Sequence, residues 1–202
     1  MKNDREYRIM EMRFAPVEGE EKSYIVEGYA STFEPYTLLS RDGIDYKEQI
    51  EPTAFDEADL SDVVFRVDHV GRVYARSSAG TVELWHDERG LGQRTDLSRT
   101  QAARELFADI EAGNYPKMSF AFTVAEGGET YDKATHTRII SRIAKVFDVS
   151  PVSFPANPST ELGVVTRDYF NGVIEAEKAE RLEREQLELR RRKMIMKLKL
   201  EG

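Results

Sequence analysis

Apolar segments rich in β-branched and aromatic side chains, separated by polar or glycine-containing turns, recur over much of the chain before residue 152 and predict strands. Residues 7–14 and 23–33 are rich in β-branched and aromatic side chains and flank a turn at 16–21, so they read as a hairpin opening a sheet. Tyr24, Val26, Gly28 and Ala30 fall on one face of the second strand. Residues 35–45 read as a polar, glycine-containing loop, and Pro52-Thr53-Ala54-Phe55 as the start of a short helix. Residues 63–67 form a strand, with His69 just past its end. Residues 81–85 and 91–97 make a second hairpin across Asp87-Glu88-Arg89-Gly90.

The period changes to that of a helix between Arg99 and Glu111. Ala102, Ala103, Leu106, Phe107 and Ile110 share a face there, and Gly113-Asn114 supplies the stop. Ser119 opens the next strand, over residues 120–125, and extended structure resumes at 137–149. Strands dominate, a single helix sits mid-chain, and no βαβ alternation is present. The expected class is therefore α+β, an antiparallel barrel or sandwich with helices around it.

From about Arg167 the chain changes character. Residues 175–193 are almost all Glu, Arg, Lys, Leu, Ala and Gln, which are good helix formers. Acidic residues lead and Arg190, Arg191, Arg192 and Lys193 close the run, as the helix dipole prefers. Opposite charges fall three or four apart, as in Glu177 with Arg181 and Glu180 with Arg184. Ala176, Ala179, Leu182 and Leu189 make only a thin apolar stripe. The expected organisation is a globular domain over residues 1–166 and a charged helical tail over 167–202. The tail serves as a solvated or partner-docking arm, or as a coiled coil.

Composition narrows the chemistry. The 202 residues are 40% hydrophobic and 33% charged, long enough to bury a core and unusually charge-rich. A formal net charge of −8 speaks against binding to nucleic-acid backbones. With no cysteine, disulfides, thiolate catalysis and Cys-based zinc sites are excluded. No apolar run approaches membrane-spanning length, and Met1-Lys2-Asn3-Asp4-Arg5-Glu6 is too polar for a secretion signal, so a soluble intracellular chain is expected. The three histidines are scattered and no His-Glu-x-x-His occurs, so neither a catalytic metal nor a cofactor is expected.

Three stretches can supply the parts of a dispersed serine-protease site: Asp68-His69-Val70-Gly71-Arg72, Lys117-Met118-Ser119-Phe120-Ala121-Phe122, and Phe147-Asp148-Val149-Ser150 running on to Pro158. A serine hydroxyl becomes nucleophilic when a base takes its proton, and a third group fixes that base's tautomer. Ser119 is the candidate nucleophile, His69 the base and Asp148 the third group. Each also has an ordinary reading. Ser119 can simply begin a strand, His69 can end one at the surface, and Asp148 can face solvent from an alternating strand. His86 follows Trp85 into a charged turn, and His136 lies in a polar hairpin. Ser119 lacks the Gly-x-Ser-x-Gly elbow, which argues against an α/β-hydrolase.

Taken in order, these pieces resemble the tailed-phage prohead (procapsid) maturation proteases. The resemblance begins with Val26-Glu27-Gly28-Tyr29-Ala30-Ser31-Thr32-Phe33 and continues through Asp68-His69, Gly71-Arg72 and Gly90-Leu91. It ends in Met118 to Phe122, Asp148-Val149-Ser150 and Ser153-Phe154-Pro155-Ala156-Asn157-Pro158, covering about residues 7–165. It implies a β-barrel surrounded by helices, similar to the herpesvirus assembly proteases. It also implies an endopeptidase that cuts scaffolding protein, or the scaffolding segment of the major capsid protein, and commonly itself. The implied setting is the host cytoplasm, inside the immature shell.

Two features depart from the family pattern. Asp148 stands where the family often has Glu, and the herpesvirus relatives use a second histidine as third member, which makes His136 the rival. The implied partners are the major capsid protein precursor and scaffold, with possible self-association through the C-terminal helix. Neither nucleic acid nor membrane is expected. A catalytically silent scaffold or core protein of the same fold is the alternative, and a small-molecule esterase or amidase is a third reading.

Overall fold

The computed structural model describes residues 5–10, 15–16, 24–153 and 164–200. The chain divides into two compact units, Met1–Gly163 and Val164–Gly202.

The described part of the first unit contains thirteen strands and one α-helix, α1. A five-stranded sheet holds β1 (Glu6–Met10), β10 (Lys117–Val124), β13 (Ile143–Val152), β6 (Val64–Arg66) and β7 (Val73–Arg76), in that spatial order. A second sheet runs β11 (Glu129–Asp132), β12 (Thr137–Ile140), β5 (Ile44–Ile50) and β4 (Tyr36–Arg41). A third runs β2 (Ala15–Pro16), β3 (Ile25–Thr32), β9 (Gly90–Asp96) and β8 (Val82–His86). Pairing is antiparallel except between β13 and β6 and between β12 and β5. The fold is thus α+β and mostly strands. Among the described residues no sheet closes into a barrel, because apolar segments mark which residues are strands but not how sheets join.

Two local expectations change. Residues 7–14 and 23–33 do not form one hairpin: β1 pairs with β10, and the short β2 pairs with β3. The expected turn at 16–21 lies largely outside the described residues. Residues 35–45 are not a loop either, since β4 and β5 form a hairpin around Asp42 and Gly43, both at positive φ. Strands β7 and β11 lie outside the expected segments, while the expected short helix and second hairpin are present. Pro52–Phe55 is a 3-10 turn, and β8 and β9 pair antiparallel.

The core is apolar and continuous. On β10, Met118, Phe120 and Phe122 are fully buried, with the two phenylalanine rings stacked at 4.7 Å. Val26, Ala30, Leu91, Phe65, Val146 and Val149 join them. Helix α1 (Gln101–Glu111) buries Ala103, Leu106, Phe107 and Ile110, a spacing that follows the 3.6 period. Its N-terminus is capped by Thr100, whose hydroxyl accepts from the Ala103 N–H at 3.1 Å. Gly90 at φ +154° is required by close approach: a Cβ there would stand 1.9 Å from the Ser31 carbonyl oxygen.

The second unit's described part is one helix, α2 (Val164–Leu200). Leu182, Leu187, Leu189 and Met194 are exposed on it, and ion pairs join Glu175 with Lys178 and Glu188 with Arg192. None of the described helices is long and apolar enough to cross a membrane.

Candidate active site

Strand register brings the candidate residues together. Ser119 on β10 lies directly across from Ser150 on β13, and Ala121 lies across from Asp148. Residues two apart on a strand share a face, so Ser119, Ser150 and Asp148 project from the same side of the sheet. Strand β6 lies on the far side of β13, with Val64 opposite Asp148. The turn after β6 therefore arrives beside the carboxylate.

That turn carries His69. The Val70 N–H donates to the Val67 carbonyl at 3.0 Å, and the two central residues, Asp68 and His69, have φ of +49° and +59°. Consecutive positive φ across an i to i+3 bond marks a primed turn, an uncommon setting for non-glycine residues. The conformation is held from outside. The Asp68 N–H donates to the Pro151 carbonyl at 3.1 Å, and the Asp68 carboxylate accepts from the Ser153 N–H and hydroxyl. Arg66 adds a bond from Nη1 to the His69 carbonyl at 3.2 Å.

The imidazole bridges the other two groups. His69 Nδ1 lies 2.5 Å from Asp148 Oδ1, and Nε2 lies 2.6 Å from Ser119 Oγ. A carboxylate can only accept, so Nδ1 carries a proton, and the neutral ring then presents Nε2 as an acceptor to the serine hydroxyl. Asp148 Oδ1 also accepts from the Ser150 hydroxyl at 2.8 Å, and its Oδ2 lies 3.9 Å from Arg66 Nε. That Nε is buried without a hydrogen-bond partner among the described residues, so it acts on the carboxylate as a nearby charge. The ring of Tyr7 packs on the imidazole with centroids 4.7 Å apart.

Ser119 is fully buried and Asp148 is 1% exposed, while the His69 side chain keeps 13% exposure. Strand β1 runs alongside Ser119: Ile9 is its register partner, and the Arg8 carbonyl accepts from Ser119 Oγ at 2.8 Å. A hydroxyl has one proton, so bonding to the Arg8 carbonyl competes with bonding to His69 Nε2.

Beneath β1, on the opposite face of the sheet, lies a buried ionic cluster. Arg8 reaches Glu48 through Nε at 2.5 Å and through Nη2 at 2.7 Å. Arg138 bonds Glu6 at 2.6 and 2.8 Å and Glu48 at 3.0 Å, and also pairs with Glu129. The Tyr36 hydroxyl donates to Glu48. Burial alone would push the Glu6 carboxyl up, but its Arg138 hydrogen bond and the charges of Arg8 and Arg138 outweigh that and hold it down at about 2. Burial works against the Arg8 charge, yet Glu48 more than offsets it, and the guanidinium is held more firmly protonated than usual. Burial and the Glu48 charge push the Tyr36 hydroxyl well up.

All three candidates thus meet, although Ser119 is the third residue of its strand rather than the first. His136 lies elsewhere, in the β11–β12 turn, with Nδ1 3.2 Å from the Tyr131 hydroxyl. His86 faces Asp56 at 3.6 Å. Of the proline-containing run from Pro151 to Pro158, expected as a rigid turn supporting the site, Pro151 and Val152 instead end β13, and residues 154–158 lie outside the described residues. Sequence reasoning missed Ser150, Arg66 and the ionic cluster. Ser150 had a signal, since it follows Asp148 by two positions in a strand. Among the described residues no group of three or more His, Asp or Glu side chains is placed to hold a metal ion.

One comparison with known proteins agrees with this chemistry. The family model described as caudovirus prohead serine protease matches residues 10–172. Among solved structures, the bacteriophage T4 capsid assembly protease, gp21, is similar at 15% identity and a TM-score of 0.40, covering 76% of this chain and 100% of that one. No curated protein matches.

Proposed function

The chain belongs to the caudovirus prohead serine protease family, and on that premise we propose that it is a Ser-His-Asp endopeptidase acting within the immature phage head. The observation that carries this reading is the continuous line from Asp148 through His69 to Ser119, with contacts of 2.5 and 2.6 Å.

The mechanism is acyl transfer. His69 Nε2 takes the Ser119 proton as Oγ bonds to the scissile carbonyl carbon. The resulting imidazolium is stabilised by Asp148, which Ser150 helps to orient. Collapse breaks the C–N bond, and the proton passes from Nε2 to the leaving amine. Water then attacks the acyl carbon, giving a proton to His69; the C–Oγ bond breaks, His69 returns that proton to Oγ, and the acid product leaves with serine restored. Asp148 rather than His136 is the third member in this reading, because Asp148 meets Nδ1.

The substrates we propose are scaffold protein or the scaffolding segment of the major capsid protein precursor, together with the chain itself. The C-terminal helix serves incorporation or partner contact rather than bond cleavage. Intact-mass analysis over time tests these points together, using wild type, Ser119→Ala and a chain lacking residues 171–202, each with capsid precursor. Discrete truncation in wild type and in the shortened chain, absent from Ser119→Ala, is the expected result. Truncation that persists in Ser119→Ala rules out the nucleophile. Intact precursor with every protein favours a silent scaffold, and loss of cleavage in the folded shortened chain overturns the role given to the helix.

A further inference from the structure

Ser119 is wholly buried, yet the reaction needs a peptide carbonyl at its Oγ. Strand β1 beside it is itself an extended peptide. It lies antiparallel along the edge of β10 and presents the Arg8 carbonyl to Oγ at 2.8 Å. A strand added to an exposed sheet edge is a recurring way of binding an extended peptide, with ladder bonds giving affinity and alternate side chains giving selectivity. We propose that β1 stands where the substrate strand binds, and that Glu48 with Arg138 reads the incoming strand as a Glu-x-Arg pattern. The proposal rests on Ser119 being the nucleophile.

The alternation of β1 supports this. Tyr7 faces the catalytic side and packs on His69, while Glu6 and Arg8 face the opposite side and enter the ionic cluster. Arg8 engages Glu48 through two parallel N–H bonds, and Glu6 engages Arg138 through another two. Bidentate pairs of this kind discriminate by geometry as well as by charge. Glu48 and Arg138 belong to β5 and β12, so they remain when β1 leaves. An unfilled pair of buried charges is costly, and a second strand with an acid and an arginine two residues apart would restore both sets of bonds. That occupancy is unproductive because Oγ donates to the Arg8 carbonyl oxygen instead of approaching its carbon, which also draws the proton away from His69.

The test is the labelling rate of Ser119 in the full-length chain by a fluorophosphonate probe, located by peptide mass mapping. The probe's phosphorus bonds to Oγ, fluoride leaves, and the hydroxyl proton passes to His69. Expected are slow labelling of wild type, labelling at least about tenfold faster in Arg8→Ala, and an intermediate rate in Arg8→Lys, which keeps charge but loses the fork. A synthetic peptide matching residues 5–10 should slow labelling of Arg8→Ala at least about threefold, and the same peptide with Glu6 and Arg8 exchanged should not.

Folded variants that label at the wild-type rate overturn β1 as the cover while leaving the nucleophile intact. Equal slowing by both peptides overturns the reading by Glu48 and Arg138. If Arg8→Ala does not fold, Arg8→Lys with the two peptides decides the same points. No labelling at Ser119 in any protein removes the nucleophile itself, and the proposal with it.

Discussion

The carboxylate of Asp68 accepts from both the backbone N–H and the hydroxyl of Ser153, at 3.0 and 2.9 Å, across 85 residues of chain. This clasp ties the turn that carries His69 to the end of the strand that carries Asp148. It holds two successive residues in a backbone conformation that each disfavours. Asp68→Ala should therefore loosen the imidazole without touching substrate. Peptide-cleavage kinetics should show kcat down about tenfold to a hundredfold with KM little changed, the scale of a displacement near 1 Å. Asp68→Asn, which can still accept a bond, should recover part of the loss. An unchanged kcat in folded Asp68→Ala would mean that the turn holds itself.

Asp148→Asn should preserve the fold while presenting an amide to Nδ1. The ring can then adopt the tautomer that protonates Nε2, which cannot accept from Ser119. The expected loss in kcat is about 10⁴-fold. Ser150→Ala, which leaves the carboxylate in place, should cost far less. Steady-state kinetics of both variants beside wild type check the order, and equal losses would contradict it.

Acid should weaken the first unit through Glu6. Its folded pKa of about 2 lies below the ordinary value of 4.5. Its contribution is therefore fully present above about pH 4.5 and disappears as pH falls toward 2. The difference corresponds to about 3 kcal/mol. Thermal melts from neutral pH down to about pH 2.5 should show Tm falling through that window. Glu6→Gln should melt lower at neutral pH, since it weakens a buried pair, and should show a shallower acid slope. A slope identical to wild type would remove Glu6 as the cause.

Gly90→Ala should abolish folding or lower Tm steeply. The new Cβ would stand 1.9 Å from the Ser31 carbonyl oxygen and 2.9 Å from Thr32 Cα, both backbone atoms. Gly43→Ala is the matched control, because Gly43 also has positive φ but an added Cβ there would meet no atom within 4 Å. It should cost only about 1–2 kcal/mol. Similar melting curves for the two variants would show that the close approach is not what demands glycine at 90.

Much of this is legible in the residues. The 3.6 spacing of Ala103, Leu106, Phe107 and Ile110 identifies α1, and apolar runs bounded by turn residues mark β3, β6 and the β8–β9 hairpin. Ser119, His69 and Asp148 stand in the sequence as ordered pieces, and they do meet. What the sequence hides is the choice of partner. β1 and β3 both read as strands, but nothing local says that β1 pairs with β10, more than a hundred residues away. Glu6 and Arg8 at alternate positions read as a solvent-facing edge. Their burial depends on Glu48 and Arg138 arriving from two other strands. Asp42-Gly43 is a turn signal between extended segments, and the polar residues around it obscure the hairpin.

The parallel pairing of β6 with β13 also sets a schedule. Asp148 lies 79 residues beyond His69, so this contact belongs to the slow, non-local part of folding. A ribosome that has delivered His69 and Ser119 has not yet delivered the carboxylate or the strand that positions it. Translation itself thus delays the meeting of Asp148 with His69 and Ser119, which can form only after β13 has been made.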